Sequence, residues 1–388
     1  MAWRRPGLAA ATGAAAVLFS ACAFSACAPA APGADLGWDP VPLPGDAWPS
    51  SLAVTGDHLL VGGTTAGGGA PALLEVAADD ATTALELRPE QGYAKLADLV
   101  WLSPADGAVI ALGVARGGAH GNERWTTWDG EIDGPVSDHE QDFWTFGGHE
   151  AGPLLGVVRP GGDPVIVGSR GGDDGFHAAL WTSRGTTWTR QPATDPQLRS
   201  GPDRVLSFRA TAASGSTILI AGAEVGLAGA VLQSPTLWLG PLAGPWRTVH
   251  LPVPDELSAA TGLALASAAV CGTAAGSPCW TAGWVRGRPV VWEVDPVAAT
   301  AQATVLPGTG GAGTDPTLAI GLAGGVPVVA TNADRPELAW RCAGSWRTAP
   351  APATPVVTLA SIGTRLYAVT GGEQGRRLWQ AVLDTRGC

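Results

Sequence analysis

Along most of the chain, apolar and small residues alternate in short runs that stop at Gly, Asp or Pro, a period of two that predicts β-strands rather than helices. One run recurs as LLVGGT (Leu59 to Thr64), VIALGV (Val109 to Val114), VIVGSR (Val165 to Arg170), ILIAGA (Ile218 to Ala223), WTAGWV (Trp280 to Val285), VVATNA (Val328 to Ala333) and LYAVTG (Leu366 to Gly371). A second run follows each. Six copies carry tryptophan: RWTTW (Arg124 to Trp128), LWTS (Leu180 to Ser183), LWLG (Leu237 to Gly240), VWEV (Val291 to Val294), AWRC (Ala339 to Cys342) and LWQA (Leu378 to Ala381). The seventh, LLEV at Leu73 to Val76, keeps the apolar pattern without the ring. Recurrence of one unit every ~50 residues is the mark of a closed, repetitive architecture.

The fourth repeat shows the unit most plainly. Phe208 to Ala213 reads as a first strand, Ile218 to Ala223 as a second, TLWLG as a third and WRTVHLP (Trp246 to Pro252) as a fourth. Fourth strands tend to end in proline, at Pro89, Pro192, Pro252, Pro307 and Pro350, where a missing donor costs little on the outer edge of a sheet. The last repeat offers three strands before the chain ends, and GWDPVPLP (Gly37 to Pro44) matches PWRTVHLP (Pro245 to Pro252). The N-terminal strand therefore closes the last sheet. The expectation is an all-β, seven-bladed β-propeller, residues 36–388, with open edges removed by that closure. Repeat two matches worst in its fourth strand, around Glu131 to Val136, so six or eight blades are the alternatives. An indole buries roughly 150–250 Å², so Trp181, Trp238, Trp292, Trp340 and Trp379 are read as packing between blades. Trp48, Trp101 and Trp144 lie nearer loops.

TSRGTTW (Thr182 to Trp188) resembles the Asp-box of sialidase-like bacterial propellers, which closes the hairpin between third and fourth strands. Gly185, Thr187 and Trp188 match, Arg184 stands in the turn where the Asp is missing, and CAGSWRT (Cys342 to Thr348) is a fainter copy. The resemblance covers a few residues per repeat and implies fold, not activity.

Composition narrows the setting. With Arg4 and Arg5 of the first segment set aside, 21 basic side chains stand against 34 acidic ones, a net charge of −13, which excludes nucleic acid as a partner. Lys95 is the single lysine, and abundant Ala, Gly, Pro and Arg point to a GC-rich genome of actinobacterial type. Residues 1–27 read as a signal peptide: Arg4 and Arg5, then an apolar stretch from Leu8 to Phe24 too interrupted to span a membrane, then a Pro/Ala linker over residues 28–35. Phe-Ser-Ala-Cys occurs at Phe19 to Cys22 and at Phe24 to Cys27, each resembling a bacterial lipoprotein box with Phe in place of the preferred Leu. The resemblance implies acylation of Cys27, or of Cys22, and a chain anchored outside the cell membrane; plain secretion is the alternative. Export permits disulfides, and Cys271 with Cys279 and Cys342 with Cys388 are the pairs that the blade layout brings together.

Links from fourth to first strands and from second to third strands open on one face, called the top. The N-terminal strand enters from the bottom, so the top is expected to face away from the membrane. Candidate ligand-binding residues there are Trp48, Tyr93, Asp138, His139, Glu140, Asp142, Asp173, Asp174, His177, Arg286 and Arg335. The densest cluster is SDHEQDFW (Ser137 to Trp144). Imidazoles beside carboxylates are the chemistry of divalent metal sites, which makes His120, His139, His149 and Asp173 metal candidates. No nucleophile elbow, phosphate loop or HExxH pattern is present, so neither a cofactor nor a catalytic residue is assigned. The expected function is non-enzymatic: a surface-tethered propeller binding an extracellular protein or glycan. The alternative is a carbohydrate-active hydrolase of sialidase-like type, with Tyr93 as a participant.

Overall fold

A computed structural model describes residues 35–388 apart from 118–122, 193, 229–230, 259–261, 308–317, 333–335, 354, 373–374 and 387. The signal peptide, nearly all of the linker, Cys22, Cys27, His120 and Arg335 lie outside the described residues.

The strands form seven sheets, each with four antiparallel strands, numbered here as blades 1–7 in chain order. Consecutive first strands touch one another all the way round, that of blade 7 meeting that of blade 1, so the sheets close into a ring. In blade 4 the strands are Arg204–Ser214, Thr217–Gly226, Leu232–Gly240 and Arg247–His250, in that order across the sheet. The closure is present as read: Asp39–Val41 lies against Gly375–Val382, pairing Asp39 with Gln380 and Val41 with Leu378.

Buried side chains collect into clusters between neighbouring blades. Trp181 packs between blades 2 and 3, Trp238 between 3 and 4, Trp292 between 4 and 5, and Trp340 between 6 and 7. The first three are fully buried, and Phe208 meets Trp238 edge-on with centroids 4.9 Å apart. Trp379 departs from the expectation. It is only half-buried, its Nε1 donating to Thr370 Oγ1, and the blade 7 to 1 cluster is filled by Tyr367 and aliphatic residues. The glycine in the second-strand motif has a backbone cause. First strands of the other blades bulge where that of blade 6 does not, and a Cβ on Gly222 would sit 1.9 Å from the Ser207 carbonyl at the bulge of blade 4; glycine lets the bulged backbone approach.

Blade 2 differs from the reading. Its first three strands are Asp98–Ala105, Ala108–Arg116 and Glu123–Glu131, and its fourth is Val136–His139, later than expected. A fifth strand, Leu87–Arg88, runs parallel to Val136–Ser137 on the outside. The segment ending at Pro89 is thus not all blade 1: Thr82–Ala84 is that blade's fourth strand, and Leu87–Arg88 belongs to its neighbour. Blade 3 consists of Ala151–Val158, Val165–Gly172, Gly175–Arg184 and Thr187–Gln191. TSRGTTW does close a hairpin between third and fourth strands, with Gly185 at φ +58° and Trp188 buried.

Both expected disulfides are formed, Cys271–Cys279 and Cys342–Cys388, which points to an oxidising compartment. Among the described residues no helix is long and apolar enough to cross a membrane.

Candidate functional site

The site is built on the links entering and leaving blade 2. After His139 the chain leaves the sheet, and Asp142 caps a single turn, Phe143–Phe146, by accepting from Trp144 N at 2.8 Å. The apolar run of that turn is divided by packing. Phe146 is buried against Trp181 with centroids 5.5 Å apart, and Trp181 Nε1 donates to Thr145 O at 2.9 Å. With that end pinned, Phe143 and Trp144 are held outward, 56% and 62% exposed. Gln141 secures the approach, donating to Thr186 O and accepting from Trp188 N of the blade 3 hairpin.

Asp138 borders the site from the fourth strand rather than from a loop, and it is buried. Its side chain lies in the fourth strand, where Oδ1 accepts from Glu90 N and Oδ2 from Gln91 N at 3.3 Å. Those bonds position the link that carries Tyr93. Arg124, at the start of the third strand, then joins the two links: its guanidinium carbon lies 5.8 Å from the Tyr93 ring centroid and 5.9 Å from that of Phe143, a cation held by two π faces.

The result is a groove in two connected parts. One, of about 420 Å³, is bordered by Tyr93, Arg124, His139, Glu140 and Asp142; the other, of about 930 Å³, by Trp144, His149 and Phe176. Both share Glu123, Arg124, Trp125, Phe143 and Phe146. His139 Nε2 lies 2.6 Å from Asp129 Oδ1.

Tyr93, Asp138, His139, Glu140 and Asp142 border one cavity, and the other described candidates lie elsewhere. Trp48 borders a separate cavity with Pro40, Arg376 and Arg377. Arg286, in a turn of blade 5, donates to the Leu257 carbonyl of the link from blade 4. Asp173 and Asp174 are exposed at the hairpin tip of blade 3, whose His177 accepts from Ser200 N at 3.1 Å through Nδ1. Burial, then the Arg199 charge, holds the His177 pKa below its ordinary value. Among the described residues no three His, Cys, Asp or Glu side chains gather as a metal site. Arg124, Trp125, Phe143 and Phe176 escaped the sequence reading. RWTTW holds two tryptophans with different duties, Trp128 in the core and Trp125 half-exposed in the groove, and only the first follows the packing pattern.

No family model matches the chain, and no curated protein sequence matches it. Among solved structures it is similar to YCF48 bound to D1 peptide, at 12% identity and a TM-score of 0.53, covering 92% of this chain and 99% of that one. It is also similar to the polysaccharide lyase Uly1, at 10% identity and a TM-score of 0.53, covering 86% and 90%. AztD from Citrobacter koseri is a more distant likeness, at 11% identity and a TM-score of 0.44, covering 78% and 70%. At these identities the likeness is one of fold: a seven-bladed β-propeller.

Proposed function

We propose that this chain is an exported bacterial propeller lipoprotein, with degenerate Asp-box hairpins, that binds a glycan through the groove over blades 2 and 3 without transforming it. One observation carries this. Tyr93, Phe143, Trp144 and Phe176 stand exposed around a single groove, while most other tryptophans are spent between blades. Flat aromatic faces beside Glu123, Glu140, Asp142 and Arg124 suit sugar rings, which stack through C–H faces and hydrogen-bond through hydroxyls. The propeller fold carries such work elsewhere: one structural neighbour is a polysaccharide lyase and another is bound to a peptide. An extended protein segment is the second occupant of the same groove. Acylation at Cys27, or at Cys22, would hold the bottom toward the membrane and leave the groove facing outward.

Retention of the chain on polysaccharides in affinity electrophoresis tests the reading, with Trp144→Ala expected to abolish retention. Failure to bind any polysaccharide, with capture of extended peptides by the same groove, would replace the glycan with a protein partner. The alternative hydrolase has one observation in its favour: Tyr93, Arg124 and His139, itself paired with Asp129, border one cavity. New reducing ends in the incubated polysaccharide would establish it. For the anchor, Cys27→Ala should release the chain from membranes into the medium, whereas the same release on Cys22→Ala alone would move the lipid to Cys22.

A further inference from the structure

Beyond His149, which borders the groove, the chain enters the lining of a second cavity at Glu150. This one is about 170 Å³ and gathers Glu150, Arg170, His177, Arg190 and Arg199 from the links and strand ends of blade 3. Three guanidinium groups thus border one space with one carboxylate, in a chain of net charge −11. The carboxylate ion-pairs with two of them without a close hydrogen bond to either. Glu150 Oε2 lies 3.6 Å from Arg170 Nη2 and 3.8 Å from Arg190 Nη1, both outside hydrogen-bond distance. The Arg170 side chain is 9% exposed; Nη1 donates to Gly147 O at 2.6 Å, and its buried Nε has no partner among the described residues. Arg199 is exposed, and its guanidinium forms no ion pair among the described residues. His177 adds a donor: an Nδ1 that accepts from Ser200 N carries no proton, so Nε2 does. Asp174 acts on His177 from outside the lining.

Three like charges around one small space, offset by a single carboxylate, favour an anion that enters, and the planar guanidinium fork matches a carboxylate in two-point contact. We propose that this cavity binds the carboxylate of an acidic sugar, a uronate, in the glycan held by the adjoining groove. The inference rests on the glycan reading for its ligand and on the arginines for its charge. The groove itself carries Glu123, Glu140 and Asp142, which oppose a uniformly anionic chain. The glycan it fits therefore interleaves neutral sugars, stacked on the aromatics, with acidic ones seated in the arginine cavity. An acidic peptide shares the carboxylate but not the hydroxyls that those groove acceptors would receive.

The test uses the full chain, titrated by calorimetry with glucuronate and galacturonate against glucose, and with an acidic polysaccharide before and after reduction of its carboxyls to alcohols. A uronate should bind and glucose should not. Carboxyl reduction, or either exposed-side substitution Arg190→Gln or Arg199→Gln, should weaken polysaccharide binding about tenfold, the loss of one charged hydrogen bond, with the melting temperature unchanged. Equal binding of native and reduced polysaccharide would overturn the uronate subsite while leaving the groove reading intact. Uronate binding that depends on Arg199 and persists in Trp144→Ala would support the subsite even if the groove reading failed. Tighter, Arg199-dependent binding of a glutamate-terminated peptide, or of a sulfated neutral sugar, would overturn the assignment to a uronate.

Discussion

Arg376 Nη1 lies 2.7 Å from Asp98 Oδ2, joining the third strand of blade 7 to the first strand of blade 2 across the whole of blade 1. Ser50 of blade 1 sits between them, donating to Asp98 Oδ1 and accepting from the same Arg376 nitrogen. Three blades are thus bound by one polar cluster beside the closure. Removing one partner strands the other in a site where each side chain keeps about a fifth of its exposure, so Asp98→Asn should destabilise the fold by about 1–3 kcal/mol. Chemical denaturation of Asp98→Asn, Arg376→Gln and the double variant checks this, the double variant costing less than the two singles combined.

Two tryptophans should respond in opposite ways. Trp181→Ala empties a core position and removes the partner of Phe146, costing about 3–5 kcal/mol. Trp144→Ala touches an exposed ring and should stay within about 0.5 kcal/mol of the parent while losing glycan retention. Thermal melts beside affinity electrophoresis separate the two effects.

The disulfides should be unequal. Cys342–Cys388 spans 46 residues and ties the C-terminus to blade 6, whereas Cys271–Cys279 spans 8 within one hairpin. On the loop-entropy account the first is worth about 4 kcal/mol and the second about 2.5. Paired Cys→Ala variants, unfolded in denaturant, should show that order.

His177 gives a pH dependence with a definite sign. Burial and Arg199 lower its pKa against the opposing pull of Asp174 and Glu150, so the unfolded chain takes up the proton more readily. The stability it contributes is complete above its ordinary value of 6.5 and is lost as pH falls through 6.5 toward the lower folded value. Melting temperatures from about pH 8 to about pH 5 should fall less steeply in His177→Gln than in the parent.

The ring was legible because packing between blades imposes one pattern seven times; Trp238, Trp292 and the match of Gly37–Pro44 to Pro245–Pro252 all report that local requirement. Site residues answer to contacts distant in sequence. Asp138 looks like a solvated loop acid until the Glu90 and Gln91 amides, from the preceding link, come down on it. Phe143, Trp144 and Phe146 are near neighbours of similar character, and only the presence of Trp181 decides which is buried. Arg170, Arg190 and Arg199 come from three separate elements of blade 3, and no spacing rule announces their meeting.

The parallel Leu87–Arg88 strand puts the repeat in sequence out of phase with the unit in space. Val136 N donates to Glu86 O, so the outer side of blade 2 is completed by chain that precedes its own first strand. Residues 98–139 copied elsewhere in the ring would arrive with that side bare. Residues 151–191, whose blade is complete within its own segment, form the transferable cassette, and a cut made for circular permutation just after Ala84 would leave Leu87–Arg88 with blade 2, whereas one after Arg88 would leave it with blade 1.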